Sequence, residues 1–215
     1  LPDKTFSRSD FGLPKTGFIF CCFNNSFKIS EVEFDIWMSL LQEVEGSVLW
    51  LLKANEWFEK NIKLEAQKRG VDPNRLVFAD QLENETHLAR IKLANLFLDT
   101  FNFNAHTTAS DALWVGLPIV TKLGKSFPSR VAASLLLNLD VPELITYSDL
   151  EYKKLALGLA KNHKLLQSIK GKILKNRNST PLFDTKSYTQ SLEKAYSRIY
   201  QRYLYDAAPI EMELK

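Results

Sequence analysis

Short apolar runs alternate with longer amphipathic segments along this chain, and that alternation constrains the fold more than any other feature. The runs have the length of strands, whereas the segments between them are long enough for helices. This order of elements predicts a parallel sheet flanked by helices, which places the chain in the α/β class. The predicted strands are residues 17–23, 47–52, 75–79, 96–100 and 118–121.

The first four runs consist almost entirely of large apolar residues, as is typical of strands covered on both faces, so we expect them to be inner strands. Ser30 and Glu33 predict a capping box at the start of one helix. A second helix is predicted from about residue 56 to 69, where Gly70 ends it. The segments 149–177 and 185–205 are predicted to be helical and to add no strand.

Composition weighs against several classes of protein. The 28 basic and 25 acidic residues leave a net charge of +3, too small to indicate nucleic-acid binding. Cys21 and Cys22 would face opposite ways on a strand, so we expect buried thiols and a cytoplasmic protein. No apolar stretch approaches the ~20 residues of a membrane span. Because the chain begins without methionine, we expect it to be part of a longer protein.

In an open parallel sheet, ligands bind beyond the carboxyl ends of the strands, so the loops after the strands are the candidate sites. The loop after the first strand contains Asn24, Asn25 and Lys28. It lacks the spaced glycines of a dinucleotide-binding turn, which weighs against a nicotinamide or flavin enzyme. The alternative is a plain turn with a solvent-exposed lysine.

After the third strand, His87 and Arg90 share one face of a predicted helix. A histidine and an arginine at this position could stack on a base and bind an anion. The alternative is that both residues lie on a solvated helix surface.

The loop after the fourth strand gives the strongest signal. His106, Thr107 and Thr108 precede an amphipathic helix, and Thr107 or Thr108 is expected at its N-cap. The free N–H groups and the dipole of such a helix start form an anion site. Asp111 lies one turn further along, placed to accept hydrogen bonds from sugar hydroxyls. The alternative is an ordinary capped helix.

Metal and triad chemistry find no support in the sequence. The histidines at positions 87, 106 and 163 lack the spacing of metal ligands, and the adjacent cysteines do not form a zinc motif. There is no Walker lysine loop and no Gly-x-Ser-x-Gly elbow. We therefore expect no metal site.

Six blocks between residues 11 and 203 are specific enough to compare with a known family: FGLPKTGFIFCCFNNSFKI, SVLWLLKANEW, HLARIKLANLFLDTF, NAHTTASDALWVGLPIVT, FPSRVAASLL and STPLFDTKSYTQSLEKAY. They resemble glycosyltransferase family 41, the C-terminal catalytic lobe of the O-linked N-acetylglucosamine transferases and SPINDLY-like proteins. The resemblance implies a Rossmann-like lobe of the GT-B fold, the lobe that binds the sugar donor, with extra C-terminal helices.

The resemblance also implies roles for individual residues. Lys28 would be catalytic, binding the diphosphate and supporting its departure. Asn25, Lys28 and Leu82 would bind the nucleotide sugar. His87 would stack on the base, Arg90 would contact the nucleotide and Asp111 would bind the ribose. The phosphates would be held by His106, Thr107 and Thr108.

The family's architecture implies a division of the chain. We expect residues 1–10 to be a linker from a missing N-terminal lobe and 11–177 to be the nucleotide-sugar-binding lobe. A crossover and C-terminal helix follow at 178–205, and 206–215 would be a disordered tail. Alone, the chain is not expected to catalyse sugar transfer. In the family, the missing lobe carries the acid-base histidine, and tetratricopeptide repeats commonly recruit the protein acceptor.

The implied activity is an inverting, metal-independent transfer of N-acetylglucosamine from UDP-N-acetylglucosamine to Ser or Thr of proteins, without a cofactor. Animal members have glutamine at Asn25 and lysine at Asn84, so UDP-glucose or GDP-fucose stays open as the sugar donor. Two alternatives from other classes are a non-catalytic nucleotide-sugar-binding or scaffolding module and a GT-B epimerase.

Overall fold

The structure, a computed structural model, describes residues 4–212. Within them, a parallel six-stranded sheet has the order β3-β2-β1-β4-β5-β6. All five predicted strands are confirmed; a sixth, β6, is only two residues long and leaves no periodic signal. The strands are β1 Ile19–Cys22, β2 Val48–Leu52, β3 Leu76–Ala79, β4 Leu96–Leu98, β5 Ile119–Lys122 and β6 Ile145–Thr146.

Eight α-helices occur in this described part of the chain: α1 Glu31–Glu43, α2 Glu56–Lys68, α3 Asn84–Ile91, α4 Thr107–Trp114, α5 Val131–Asn138, α6 Asp149–Lys161, α7 His163–Asn176 and α8 Thr185–Leu204. The predicted capping box of α1 is formed, with the Ser30 amide donating to Glu33 at 2.8 Å. Gly70 follows α2 with φ +73°, the left-handed conformation that ends helices. The predicted helical segment 149–177 divides at Asn162, whose side chain caps α7.

The expectation of four inner strands is wrong for β3, which lies at the edge of the sheet and, within residues 4–212, pairs only with β2. Its middle residues, Val77 and Phe78, are half-buried, and Phe58 of α2 packs against Phe78. An apolar run indicates that both faces of a strand are covered, but it does not indicate how many strands pair with it. Cys21 and Cys22 in β1 are buried free thiols, as predicted.

The strand order reverses between β1 and β4, which creates a switch point at the carboxyl end of the sheet. These two strands pair in parallel, with Cys21 beside Phe97. The loops that follow them therefore leave the sheet side by side. This is the crevice in which open α/β sheets bind ligands, and it contains both the Lys28 loop and the His106 loop.

The first described residues pack against the sheet domain, although a linker is expected at 1–10. Arg8 donates to the carbonyl of Gly17 at 2.9 Å, and Phe6 packs edge-to-face on Phe11. The proposed boundary before Phe11 thus falls inside a short 3-10 helix, Arg8–Phe11. Residues 1–3 of the expected linker lie outside the described residues.

The C-terminal segment differs from the rest of the chain because α8 buries none of its side chains. Residues 178–183, the expected crossover, end in a 3-10 turn whose Phe183 packs on Trp114 with ring centroids 5.0 Å apart. Residues 206–212 continue without a helix or strand, and 213–215 of the expected tail lie outside the described residues.

Candidate functional site

A buried polar network joins the two loops at the switch point, and Asp99 lies at its centre. Its carboxylate accepts hydrogen bonds from Asn24 Nδ2 at 3.2 Å, Thr100 N at 2.9 Å, Ala105 N at 2.6 Å and Thr121 Oγ1 at 2.7 Å. Burial raises the pKa of Asp99 to about 7, while these hydrogen bonds act in the opposite direction. The network fixes the path of the loop between β4 and α4.

Asn24 connects this network to the start of α4. Its Nδ2 also donates to Thr100 Oγ1 at 2.7 Å, and its Oδ1 accepts from Thr108 Oγ1 at 2.8 Å. The sequence indicated only a turn residue at Asn24, and the structural roles of Asn24 and Asp99 were missed. A carboxylate directly after the apolar strand residues 96–98 is the signal that could have indicated a buried hydrogen-bonded acid.

The predicted threonine N-cap of α4 is wrong. His106 occupies the N-cap position without a side-chain capping bond, and the hydroxyl of Thr108 is directed at Asn24 instead. Within residues 4–212, the backbone N–H groups of Thr107 and Thr108 have no acceptor. Together with the dipole of α4, these free N–H groups make the helix start a favourable place for an anion.

Lys28 reaches this helix start from the β1 loop. Its Nζ donates to the Asn104 carbonyl at 3.0 Å and lies 4.1 Å from the centroid of the Phe103 ring. No carboxylate in the described part of the chain forms an ion pair with it. Burial lowers the pKa of Lys28, and the charge of Asp99 opposes that shift. Asn25 is exposed at the start of the short 3-10 helix that carries Lys28.

His106 is held by aromatic and backbone contacts. Its ring stacks on Phe103 with centroids 4.8 Å apart, and Phe127 approaches edge-on at 6.3 Å. The ring Nε2 lies 3.4 Å from the Pro128 carbonyl. One cluster of hydrogen-bond donors thus contains the His106 imidazole, the Lys28 ammonium and the free N–H groups of α4.

His87 and Arg90 form a coupled pair on α3. Arg90 is 1% exposed and donates through Nε and Nη2 to His87 Nδ1 at 3.2 and 3.1 Å. Its Nη1 donates to the Asp80 carbonyl at 2.5 Å. Arg90 is buried and His87 is partly buried. Arg90 can only donate, so Nδ1 of His87 accepts and the neutral ring carries its proton on Nε2. In this structure Arg90 therefore orients His87.

The remaining predicted residues flank this pair. Burial raises the pKa of the Asp111 carboxylate on α4, and the nearby Asn84 side chain of α3 opposes that rise. Leu82, in the loop between β3 and α3, is 37% exposed, and the His87 ring packs edge-on against Phe23. The structure thus gathers the predicted residues along the carboxyl edge of the sheet, with Thr107 and Asn25 exposed and Arg90 buried.

The protonation of His87 gives a direct prediction. Burial, and secondarily the charge of Arg90, lowers the pKa of His87 to about 4. In an NMR titration of the chain, the ring signals that disappear in His87→Gln should titrate with a midpoint near 4, so the imidazole is neutral at pH 7. A midpoint near its ordinary value of about 6.5 would contradict the buried Arg90 contact.

Residues 4–212 contain no group of three or more His, Cys, Asp or Glu side chains that could hold a metal ion. No helix in that part of the chain is long and apolar enough to cross a membrane.

The parallel sheet and the helices around it match the C-terminal lobe of solved GT-B glycosyltransferases. The chain belongs to glycosyl transferase family 41, whose family model matches residues 4–192.

Relatives and solved structures agree with this assignment. The UDP-N-acetylglucosamine--peptide N-acetylglucosaminyltransferase of Caenorhabditis elegans is 38% identical over 92% of this chain and 17% of the relative. A probable enzyme of the same name (SEC) from Arabidopsis thaliana is 36% identical over 93% of the chain and 20% of the relative. A mutant O-GlcNAc transferase from Thermobaculum terrenum superposes with a TM-score of 0.84 at 28% identity, covering 89% of this chain and 38% of that one. The chain therefore spans about a fifth of these curated relatives.

Proposed function

We propose that this chain is the sugar-donor-binding lobe of an inverting, metal-independent transferase. It would move N-acetylglucosamine from UDP-N-acetylglucosamine to Ser or Thr hydroxyls of proteins. The observation that carries the proposal is the convergence of Lys28, His106 and the free N–H groups of Thr107 and Thr108 at the switch point. The printed names of the relatives, which include the donor and a peptide acceptor, support the choice of substrates.

In the proposed reaction, a protein hydroxyl attacks the anomeric carbon and the nucleoside diphosphate departs. Negative charge builds on the diphosphate in the transition state, so hydrogen-bond donors already in place stabilise that state more than the bound substrate. Lys28 would supply the positive charge, and His106, Thr107 and Thr108 would hold the phosphate oxygens. The ammonium and the dipole of α4 thereby take the part that a metal ion plays in other transferases.

The base and ribose would lie along α3 and the adjacent face of α4. His87 is held edge-on against Phe23 and oriented by Arg90, so its ring is fixed before a base stacks on it. Leu82 would contact the nucleoside from the preceding loop. The Asp111 carboxylate would accept from the ribose hydroxyls, and Asn25 would lie beside the sugar-phosphate.

The acid-base group and the acceptor site would come from the upstream part that the longer relatives contain. A stripe of exposed apolar and aromatic side chains on α8 is suited to pack against that part: Tyr188, Leu192, Tyr196, Ile199, Tyr200 and Tyr203. This chain alone would then bind the sugar donor without transferring the sugar. The cytoplasm is the location that we propose, since the free thiols Cys21 and Cys22 suit a reducing compartment.

Calorimetric titration of the chain with UDP and with GDP, without added metal, tests this proposal. We expect UDP to bind and GDP to bind much more weakly. A His106→Ala, Thr108→Ala double variant should abolish UDP binding, because it removes an imidazole at the helix start and the hydroxyl that holds α4 to Asn24. The matched control is His163→Ala with Thr189→Ala, both exposed on α7 and α8, and it should bind UDP normally. Preference for GDP, or UDP binding that survives in the first variant, would contradict the proposal.

A further inference from the structure

Phe103 lies between β4 and α4 and contacts two of the groups assigned to the diphosphate. Its ring centroid is 4.1 Å from Lys28 Nζ, and the His106 ring stacks on it at an interplanar angle of 28°. Its backbone is held by Thr100 Oγ1, which donates to the Phe103 carbonyl at 2.6 Å. The side chain is 37% exposed, so burial in the core does not account for an aromatic ring at this position.

We propose that Phe103 is a positioning residue whose ring holds the Lys28 ammonium and the His106 imidazole ready for a diphosphate. The face of an aromatic ring attracts a cation, and stacking restricts the rotation of a neighbouring imidazole. A lysine ordered before the ligand arrives avoids part of the entropy loss on binding. This inference rests on the proposed function, because it deepens the assignment of Lys28 and His106 to the same site.

The test compares a ligand that has the diphosphate with one that lacks it. UDP binding is measured by calorimetry and uridine binding by NMR titration, for the chain and for Phe103→Leu. We expect the variant to bind UDP about tenfold more weakly and uridine equally well. Phe103→Tyr, which keeps the ring, should retain UDP affinity. The matched control is Phe58→Leu, a half-buried ring on α2 that packs on Phe78, and it should change neither affinity.

A double-mutant comparison tests whether Phe103 affects UDP binding through Lys28 and His106. If Phe103 acts through Lys28 and His106, then Phe103→Leu should not further weaken UDP binding in a Lys28→Met, His106→Ala background. A further tenfold loss there, or an equal loss of UDP and uridine affinity in the single variant, would overturn the positioning role. Unchanged UDP affinity in Phe103→Leu would overturn it too, while UDP binding by the unaltered chain would leave the proposed function standing. No UDP binding by the unaltered chain would refute both.

Discussion

Lys28→Met in the complete transferase is expected to lower kcat by about a hundredfold while weakening the affinity for UDP by no more than about tenfold. Lys28 holds its ammonium at the start of α4, 3.0 Å from the Asn104 carbonyl and without a paired carboxylate among the described residues. Its charge is therefore available to a ligand. Because the diphosphate gains charge as the bond to the sugar breaks, the loss should appear mainly in the transition state.

The kinetic distinction depends on measuring two quantities on the same protein. Steady-state rates with UDP-N-acetylglucosamine give kcat, and calorimetry gives the dissociation constant of UDP. A variant that loses affinity but keeps kcat would show that Lys28 only binds the ground state. That result would contradict the proposed support of leaving-group departure.

Lys122 provides a matched control because it shares the local geometry of Lys28. Its Nζ also lies over a phenylalanine ring, 3.9 Å from the centroid of Phe101, and its side chain is partly buried. However, it donates to Asp149 at 2.5 Å, so its charge is already paired. Lys122→Met should therefore leave kcat within about twofold of the unaltered enzyme, since a partly exposed ion pair is worth little.

The strands and most helix positions could be predicted from the sequence because they depend on local periodicity. Apolar runs coincide with β1 to β5, and Gly70 ends α2 as expected. The edge position of β3 could not be predicted in the same way, because pairing depends on strands elsewhere in the chain. Two residues of strand, as in β6, are too few to show any period.

The sequence could indicate which loops carry the candidate site, but it could not predict the contacts within it. Asn24 and Thr108 are 84 positions apart, and no local pattern reports that their side chains meet. The hydroxyl of Thr108 fitted the pattern of a cap, yet the tertiary contact with Asn24 takes it away from that role. Arg90 shows the same limit, since helix periodicity placed it on a face and the rings of Phe23 and Trp50 bury it.

The second large effect is expected at Asp99, whose stability contribution should depend on pH. Its pKa is about 7 in the folded chain, against about 4 for an unfolded aspartate. The folded state therefore binds more protons than the unfolded state between these values, and stability falls as pH rises from 4 to 7. About 4 kcal/mol of unfolding free energy should be lost across that interval, because one pKa unit corresponds to about 1.4 kcal/mol.

Asp99→Asn isolates this contribution because asparagine does not titrate. Urea unfolding at several pH values should show the variant less stable than the unaltered chain at pH 4. Its amide nitrogen then faces a set of hydrogen-bond donors and leaves at least one of them unsatisfied. The difference in unfolding free energy between the two proteins should shrink as pH rises to 8. His87, with its pKa lowered to about 4, gives the opposite slope, but it is present in both proteins and cancels in the difference.

Asp149→Asn is the control for a general effect of removing a carboxylate. Asp149 is about half exposed, so its loss should change stability by no more than about 1 kcal/mol at any pH. The difference in unfolding free energy between Asp99→Asn and the unaltered chain could instead widen from pH 4 to 8. In that case the four hydrogen bonds to Asp99 would affect its pKa more than its burial does. The carboxylate would then be ionised at neutral pH, and the network that positions the Asn24 and Thr108 side chains would be held by a full negative charge.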